Sequence, residues 1–253
     1  MVPEARLAAI MQEQPYPLLF AVVSGAHLYG FPSQDSDYDL RGAHIIPQRA
    51  ALGLESPPET LNFERIIDGL EIDLVTHDIK MYFQLLLRQD GNVFEQLYSP
   101  LVLQTSAEHQ ALKSVAHGCL TKRHGHHYLG YAQGQWKLFL KEDPHRVKPL
   151  LYVYRTLLTG IYLMRAGRVE ANLPRLNETF GLSYISDLIA QKLAGPEQAV
   201  LSAADLPFYE SEYARLLTEL EVARDATTLP ETPTTRDALN DLLIEIRLKQ
   251  PVG

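Results

Sequence analysis

Residues 23–42 of this 253-residue chain, VSGAHLYGFPSQDSDYDLRG, contain the pattern that decides the fold. The apolar run LLFAVV at 18–23 leads into a Ser-Gly-Ala turn, which is typical of a buried strand that ends in a turn. Small side chains at Ser24, Gly25 and Ala26 would let backbone N–H groups approach a ligand closely. A helix beginning at this turn would favour an anion such as a nucleotide phosphate. We therefore predict these three residues to be nucleotide-binding.

Three aspartates form the candidate metal site. Asp37 and Asp39 stand two residues apart where the next strand begins, so their side chains should project to the same face. Neighbouring carboxylates repel each other unless a cation joins them, and Mg²⁺ (or Mn²⁺) is a cation that carboxylates bind. Asp73 interrupts the apolar strand at 72–75, where an acid needs a compensating partner. We predict that all three hold metal; the alternative is that Asp37 and Asp39 are solvated or cap the loop.

The residue after this pair of acids, Arg41, has two interpretations. It alternates onto the same strand face as Asp39. A salt bridge that supports the Asp39 carboxylate and a contact with substrate are equally compatible with that position.

The signature resembles that of a known superfamily. Gly25-Ala26, ten intervening residues, Asp37-x-Asp39 and a later strand aspartate resemble the DNA polymerase beta-like nucleotidyltransferases. The strings SGAHLYGFPSQDSDYDLRG, LEIDLVTHDIKMYFQLLL and VFEQLYSPLVL resemble the predicted nucleotidyltransferases associated with RNA repair, over about residues 18–165. This resemblance implies that Asp37, Asp39 and Asp73 are catalytic. It also implies transfer of a nucleoside monophosphate (NMP) from an NTP to a hydroxyl, with release of pyrophosphate.

One residue departs from the pattern of the family. The family usually has serine where this chain has Ala26, and that serine is expected to contact nucleotide phosphate. The missing hydroxyl removes a hydrogen bond of about 0.5–1.5 kcal/mol. The departure motivates a second hypothesis, a non-catalytic nucleotide- or RNA-binding protein derived from the same fold.

The pattern of apolar residues predicts an α/β (α+β) fold. Strands are expected at 38–46, 61–67 and 70–76, with Asp68-Gly69 as a hairpin turn between the last two. Asp78 should cap the first of a series of helices. The further helices are expected at about 104–118, 126–141, 147–165, 183–194, 204–224 and 235–249. We predict a small mixed-sheet nucleotidyltransferase domain over residues 1–100 and an α-helical bundle over residues 101–253.

Charge is distributed unevenly along the chain. The net charge is −8, yet residues 121–165 hold eight Lys/Arg against two Asp/Glu. Lys148 and Arg155 lie on one predicted helix face in this segment and are candidates for nucleotide binding. Ordinary surface salt bridges are the alternative for the same pair. Overall acidity argues against tight non-specific binding to duplex DNA.

Composition restricts the class of protein. One cysteine, Cys119, excludes an internal disulfide framework, and no apolar run approaches the roughly 18 residues that span a bilayer. The N-terminal stretch does not resemble a signal peptide. These features predict a cytoplasmic protein that does not enter a membrane, and they leave its oligomeric state open.

The acceptor of the predicted transfer stays open among several classes. The resemblance favours the end of an RNA. A protein side chain, as in nucleotidylation by some toxin–antitoxin systems, and a small molecule are the alternatives. No recognisable RNA-binding module is found in the sequence, so only the cationic segment at 121–165 supports a polyanion.

Overall fold

The computed structural model describes residues 4–33, 36–55, 57–67, 69–194 and 199–249, which divide into two compact units. The sheet unit comprises Met1–Gly25, Asp37–Leu120 and Pro233–Gly253, and the helical unit comprises Ala26–Ser36 and Thr121–Thr232. Both units are therefore assembled from separate stretches of the chain. The boundary predicted at residue 100 stays a prediction, since these units are not divided at one point of the sequence.

The strands form one mixed sheet. They are β1 (Leu18–Val23), β2 (Tyr38–His44), β3 (Thr60–Ile67), β4 (Leu70–Asp78) and β5 (Val102–Gln104). Their order is β3-β4-β2-β1-β5. β2 and β4 are parallel, whereas β1 pairs antiparallel with β2 and β5, and β3 pairs antiparallel with β4. The predicted fold class, a small mixed sheet combined with many helices, is confirmed.

The helices account for most of the remaining described chain. In chain order they are α1 (Glu4–Gln12), α2 (Gly25–Tyr29), α3 (Gln48–Ala51), α4 (Ile79–Leu87), α5 (Gly91–Leu97), α6 (Ala107–Ala116), α7 (His124–Phe139), α8 (Val147–Ala166), α9 (Leu173–Phe180), α10 (Ser183–Ala194), α11 (Leu206–Ala226) and α12 (Arg236–Leu248). Asp78 caps α4 as predicted, because its side chain accepts a hydrogen bond from the Lys80 amide. Within the described residues, no helix is both long and apolar enough to cross a membrane.

The hairpin between β3 and β4 fixes the position of Asp73. The register runs from Thr60 opposite His77 to Ile67 opposite Leu70. Gly69 has φ +78°, a left-handed conformation that glycine adopts readily, while Asp68 of the predicted turn lies outside the described residues. The hairpin therefore pairs Asp73 with Glu64 of β3, and the parallel pairing of β4 with β2 puts Asp73 inside the sheet and not at its edge.

The sheet unit buries side chains on both faces of the central strands. On one face, Leu40 of β2 and Leu74 of β4 pack with α1 residues Leu7 and Ile10 in a single apolar cluster. On the other face, the Phe20 ring stacks on His109 of α6, with ring centroids 4.4 Å apart. Burial on both sides holds the central strands rigid.

The helical unit is built around α8. Fourteen of its twenty residues are buried, and α7 and α11 pack against it. Gly160 allows this close packing, since a Cβ there would lie 2.7 Å from the Cβ of Tyr128. The helix ends at Gly167, whose φ of +63° suits a glycine C-cap.

Candidate active site

The turn after β1 supports the candidate site. The Ser24 amide donates to the Asp39 carbonyl oxygen at 2.7 Å, which ties the turn to β2. Gly25 has φ +58°, and a Cβ on it would stand 1.9 Å from Oδ2 of Asp39. Only glycine therefore allows the Asp39 carboxylate to lie against this turn. The predicted sequence of strand, turn and helix is present, with α2 a short helix of five residues.

Asp39 and Asp73 lie side by side. They are register partners on the parallel strands β2 and β4, so their side chains leave the same face of the sheet. Both are partly exposed, with 24% and 34% of the side chain accessible. Sequence alternation thus predicted the face of Asp39, and strand pairing places Asp73 next to it.

Asp37 lies just before β2 and is exposed. With Asp73 it lines a cavity of about 430 Å³, whose other lining residues come from β3 and β4. These are Glu64, Arg65, Ile66, Glu71 and Ile72. The three aspartates therefore belong to the same end of the central strands, with Asp37 and Asp73 facing one cavity.

Arg41 forms an ion pair with the two strand aspartates. Its Nη2 donates to Oδ1 of Asp39 and to Oδ2 of Asp73, both at 2.9 Å. Its Nη1 donates to the carbonyl oxygens of Leu40, at 2.8 Å, and of Asp73, at 2.9 Å. Of the two interpretations of Arg41, the structure contains the salt bridge, and it reaches both carboxylates.

The electrostatics of the cluster act most strongly on Asp39. Burial raises the pKa of the Asp39 carboxyl above its ordinary value, and the nearby charges of Asp37 and Asp73 raise it further. Arg41 opposes these effects through its charge and its hydrogen bond. Because the net direction is upward, Asp39 is held in a position where its negative charge is incompletely compensated.

The chemistry of these side chains fits a hard divalent cation. Carboxylate oxygens are the ligands that Mg²⁺ and Mn²⁺ prefer, and a cation would relieve the repulsion that raises the pKa of Asp39. Among the residues that the structure describes, no three His, Cys, Asp or Glu side chains are arranged as a set of metal ligands. The arrangement joins Asp39 and Asp73 through Arg41, so metal binding by all three aspartates stays a prediction.

The remaining predicted nucleotide-binding residues belong to the helical unit. Ala26 is buried, with 4% of its surface accessible, and its carbonyl oxygen accepts from the amides of Gly30 and Phe31. Lys148 lines a cavity of about 420 Å³ together with Arg146, Tyr152 and four other residues. Its position is compatible with contact to a ligand of that cavity.

Arg155 is a buried residue of α8, so the surface salt bridge considered as the alternative does not describe it. Only 1% of this residue is accessible, and its guanidinium lies 3.8 Å from the centre of the Tyr29 ring. The position borders the apolar side of α8, and the cation–π contact is one of the interactions of the buried charge. Its predicted role in nucleotide binding stays a prediction.

Two residues that the sequence did not indicate hold the loop after the turn. Lys192 is fully buried, and its Nζ donates to the Phe31 carbonyl oxygen at 2.8 Å and to Ser33 Oγ at 3.1 Å. Asn172 Nδ2 donates to the Leu28 carbonyl oxygen at 3.1 Å. Both lie more than a hundred residues from their partners along the chain. No local pattern could have indicated them.

The sheet with aspartates on adjoining strands agrees with the nucleotidyltransferase class that the sequence indicates. The chain belongs to the RlaP family, described as the RNA repair pathway DNA polymerase beta family, which matches residues 2–245. Two uncharacterized relatives are similar to it. One is MJ0002 of Methanocaldococcus jannaschii, 32% identical over 156 residues (61% of this chain and 63% of the relative). The other is YcgL of Bacillus subtilis, 27% identical over 166 residues (64% and 62%).

The matched regions are partial. The alignments span a little over three-fifths of the length of these relatives. A crystal structure of a nucleotidyltransferase-like protein from Exiguobacterium sibiricum is similar to 88% of this chain and 72% of that protein, with 14% identity and a TM-score of 0.32. The family is therefore established by the match over residues 2–245.

Proposed function

We propose that this protein transfers an NMP from an NTP to a hydroxyl group, with release of pyrophosphate, and that the acceptor is the end of an RNA. One observation carries the proposal: Asp39 and Asp73 are paired on adjoining parallel strands, with Asp39 against the Gly25 turn, in a member of this family. Transfer of this kind depends on positioning and on stabilisation of charge. The rigid central strands of the sheet suit that requirement.

The sheet unit would hold the reacting groups. Asp37, Asp39 and Asp73 would bind a divalent cation, Mg²⁺ or Mn²⁺, and Asp73 would complete the site for the attacking hydroxyl. Such a cation, when bound, lowers the pKa of a hydroxyl and neutralises phosphate charge. Ser24 and Gly25 would form the turn that meets the phosphates; the Ser24 amide donates to the Asp39 carbonyl oxygen, so the backbone N–H donor would come from Gly25.

Three further residues are proposed to contact the nucleotide. We propose Ala26, through its backbone, and Lys148 and Arg155, through their charge, as nucleotide-binding residues. Lys148 is the better supported of the two candidates for nucleotide binding, because it lines a cavity, whereas Arg155 is buried against Tyr29. For Arg155, nucleotide contact would require a change in the packing of that ring.

An RNA acceptor is supported by two observations. The family description refers to RNA repair. Residues 121–165 also carry a net charge of +6, from eight Lys/Arg and two Asp/Glu, which favours a polyanion.

The test is incubation with each α-labelled NTP and Mg²⁺ or Mn²⁺, with and without RNA. We expect label on RNA that depends on the divalent ion. Asp37→Asn should abolish the transfer while leaving the fold intact. Asp241→Asn is the matched control, because it makes the same chemical change at an exposed position on α12 of the same unit.

The outcomes of this experiment separate the alternatives. Undiminished transfer by Asp37→Asn would exclude the proposed site. Label on the protein itself, or on a second protein, would favour nucleotidylation of a protein as in toxin–antitoxin systems. Label confined to a small molecule would identify that class of acceptor instead.

A non-catalytic nucleotide-binding protein is the second candidate. Ala26 favours it, because a buried methyl group stands where the family usually has a serine hydroxyl. Isothermal titration of NTP with and without Mg²⁺ discriminates the two. Strictly Mg²⁺-dependent binding, without transfer to any acceptor class, would establish this alternative.

A further inference from the structure

The guanidinium of Arg41 is placed between the two strand carboxylates. Its two terminal nitrogens make four hydrogen bonds: Nη2 to one oxygen each of Asp39 and Asp73, and Nη1 to two backbone carbonyl oxygens. Terminal guanidinium nitrogens carry four N–H donors in all, so this geometry uses every one of them. Arg41 is therefore held through four of the five N–H donors of its guanidinium.

Half of these bonds do not involve carboxylates. The bonds from Nη1 go to the carbonyl oxygens of Leu40 and Asp73, which belong to the backbone of β2 and β4. The positions of these oxygens are set by the pairing of β2 with β4 and not by the carboxylate side chains. The guanidinium thus has an anchor that is independent of the charge state of the site.

Arg41 also determines which carboxylate oxygens remain available. It binds Oδ1 of Asp39 and Oδ2 of Asp73, while Oδ2 of Asp39 lies against the Gly25 turn. Each aspartate is left with one oxygen that Arg41 does not bind. Rotation of either carboxylate would break a charge-assisted hydrogen bond.

We propose that Arg41 is a positioning residue that stays on Asp39 and Asp73 when a divalent cation binds, and so fixes the oxygens presented to that cation. This inference rests on the proposed function. A competing arrangement is a plug, in which the guanidinium occupies the cation position and leaves when the cation arrives. Removal of Arg41 should tighten metal binding in both arrangements. It should lower turnover only if Arg41 is a positioning residue.

A retained positive charge beside the site has a measurable consequence. It repels the incoming cation, so metal binds less tightly than the carboxylates alone would allow. Removal of the charge without change of the fold should tighten Mn²⁺ binding by about fivefold to tenfold, the order expected for one charge at a partly exposed site. Removal of the four bonds should lower turnover roughly 100-fold, because small misplacements of reacting groups are costly.

The experiment compares three full-length chains: the wild type, Arg41→Met and Arg41→Lys. Mn²⁺ affinity is measured by electron paramagnetic resonance, NMP transfer by label, and folding by circular dichroism. Lysine keeps the charge but cannot reproduce the planar fork of four donors. We therefore expect Arg41→Lys to bind Mn²⁺ like the wild type and to turn over as slowly as Arg41→Met, which should bind Mn²⁺ more tightly.

Each other outcome overturns the proposal. Wild-type turnover in Arg41→Lys would show that charge alone matters, and undiminished turnover with tighter Mn²⁺ binding in Arg41→Met would establish the plug. Weaker Mn²⁺ binding by a folded Arg41→Met would exclude a retained repulsive charge.

Failure of the proposed function has a separate signature. A wild type that binds Mn²⁺ but transfers no NMP refutes the transfer activity alone, and weaker Mn²⁺ binding by a folded Arg41→Met would still overturn the positioning proposal. Absence of Mn²⁺ binding from all three chains overturns both proposals.

Discussion

The two faces of the sheet at β2 and β4 differ in composition, although alternate residues of the same two strands form both faces. On one face, Leu40 and Leu74 are almost fully buried in the apolar cluster with α1. On the other face, at the neighbouring positions, Asp39 and Asp73 remain partly exposed and share Arg41. The alternation of a strand allows one pair of strands to carry a core and a candidate active site at once.

The two faces of this sheet serve different purposes: one stabilises the fold and the other positions the aspartates. The apolar face stabilises the fold through burial, which is non-directional and large. The charged face adds little stability, since the pKa of Asp39 is raised by burial and by its acidic neighbours. The buried face stabilises the two strands that hold the like charges of Asp39 and Asp73 side by side.

The largest expected effect comes from filling the space between the turn and the charged face. Gly25→Ala places a Cβ where Oδ2 of Asp39 now lies, 1.9 Å away, and at a left-handed φ. We expect the Asp39 carboxylate to be displaced and NMP transfer to fall by roughly 100-fold or more. Mn²⁺ binding and label transfer are the measurements.

Gly69→Ala is the matched control for this prediction. Gly69 also has a left-handed φ, of +78°, but a Cβ there meets no heavy atom within 4 Å. Both variants carry the backbone strain of alanine at positive φ, and only one meets Asp39. Equal losses of activity in the two variants would contradict a specific role for the Gly25 contact.

The second prediction concerns the apolar face. Leu74→Ala should lower the free energy of unfolding by about 2–5 kcal/mol, because it leaves a cavity in a closely packed core. Leu74 is 1% exposed and adjoins Asp73 in the sequence. Urea unfolding measures the loss, and turnover per folded molecule should stay close to that of the wild type. A large loss of turnover in fully folded Leu74→Ala would show that the two faces are not separable.

The third and smallest effect is a gain in stability on the charged face. The folded-state pKa of Asp39 is raised, so the stability it contributes is complete below its ordinary pKa of 3.8 and is lost as pH rises through the raised value. Asp39→Asn removes this loss of stability, because asparagine does not ionise. In the absence of divalent ions it should raise the unfolding temperature at pH 7.

The pH series provides the check on this third prediction. Wild type and Asp39→Asn should unfold at the same temperature at pH 3 and diverge as the pH rises. A variant that is less stable than the wild type at pH 7 would mean that the ion pair with Arg41 outweighs burial and the acidic neighbours. NMP transfer should be lost in Asp39→Asn whatever its stability.

Local patterns predicted much of the secondary structure. The run at 18–23 forms β1 with the predicted bounds, and the helix predicted at 183–194 forms α10. These segments have a clear period or sharp boundaries, which are local properties. The short elements α1, α3, α5, α9 and β5 were not predicted.

The candidate site was predicted unevenly for a related reason. Spacing and resemblance indicated Asp37, Asp39 and Asp73, and alternation put Arg41 on the face of Asp39. That Arg41 also reaches Asp73 could not be predicted, because the contact joins residues 32 positions apart.

By itself, the sequence determined four of the five described strands, most helices, the acids of the candidate site and the family, since each depends on residue type and on short spacing. The tertiary structure alone decided that Asp73 lies in register with Asp39 and that Arg41 joins them. It alone buried Arg155 and placed Lys192 on the loop that follows the turn. Those arrangements arise from strand pairing and helix packing between distant segments, and no local pattern in a chain encodes which distant surfaces will meet.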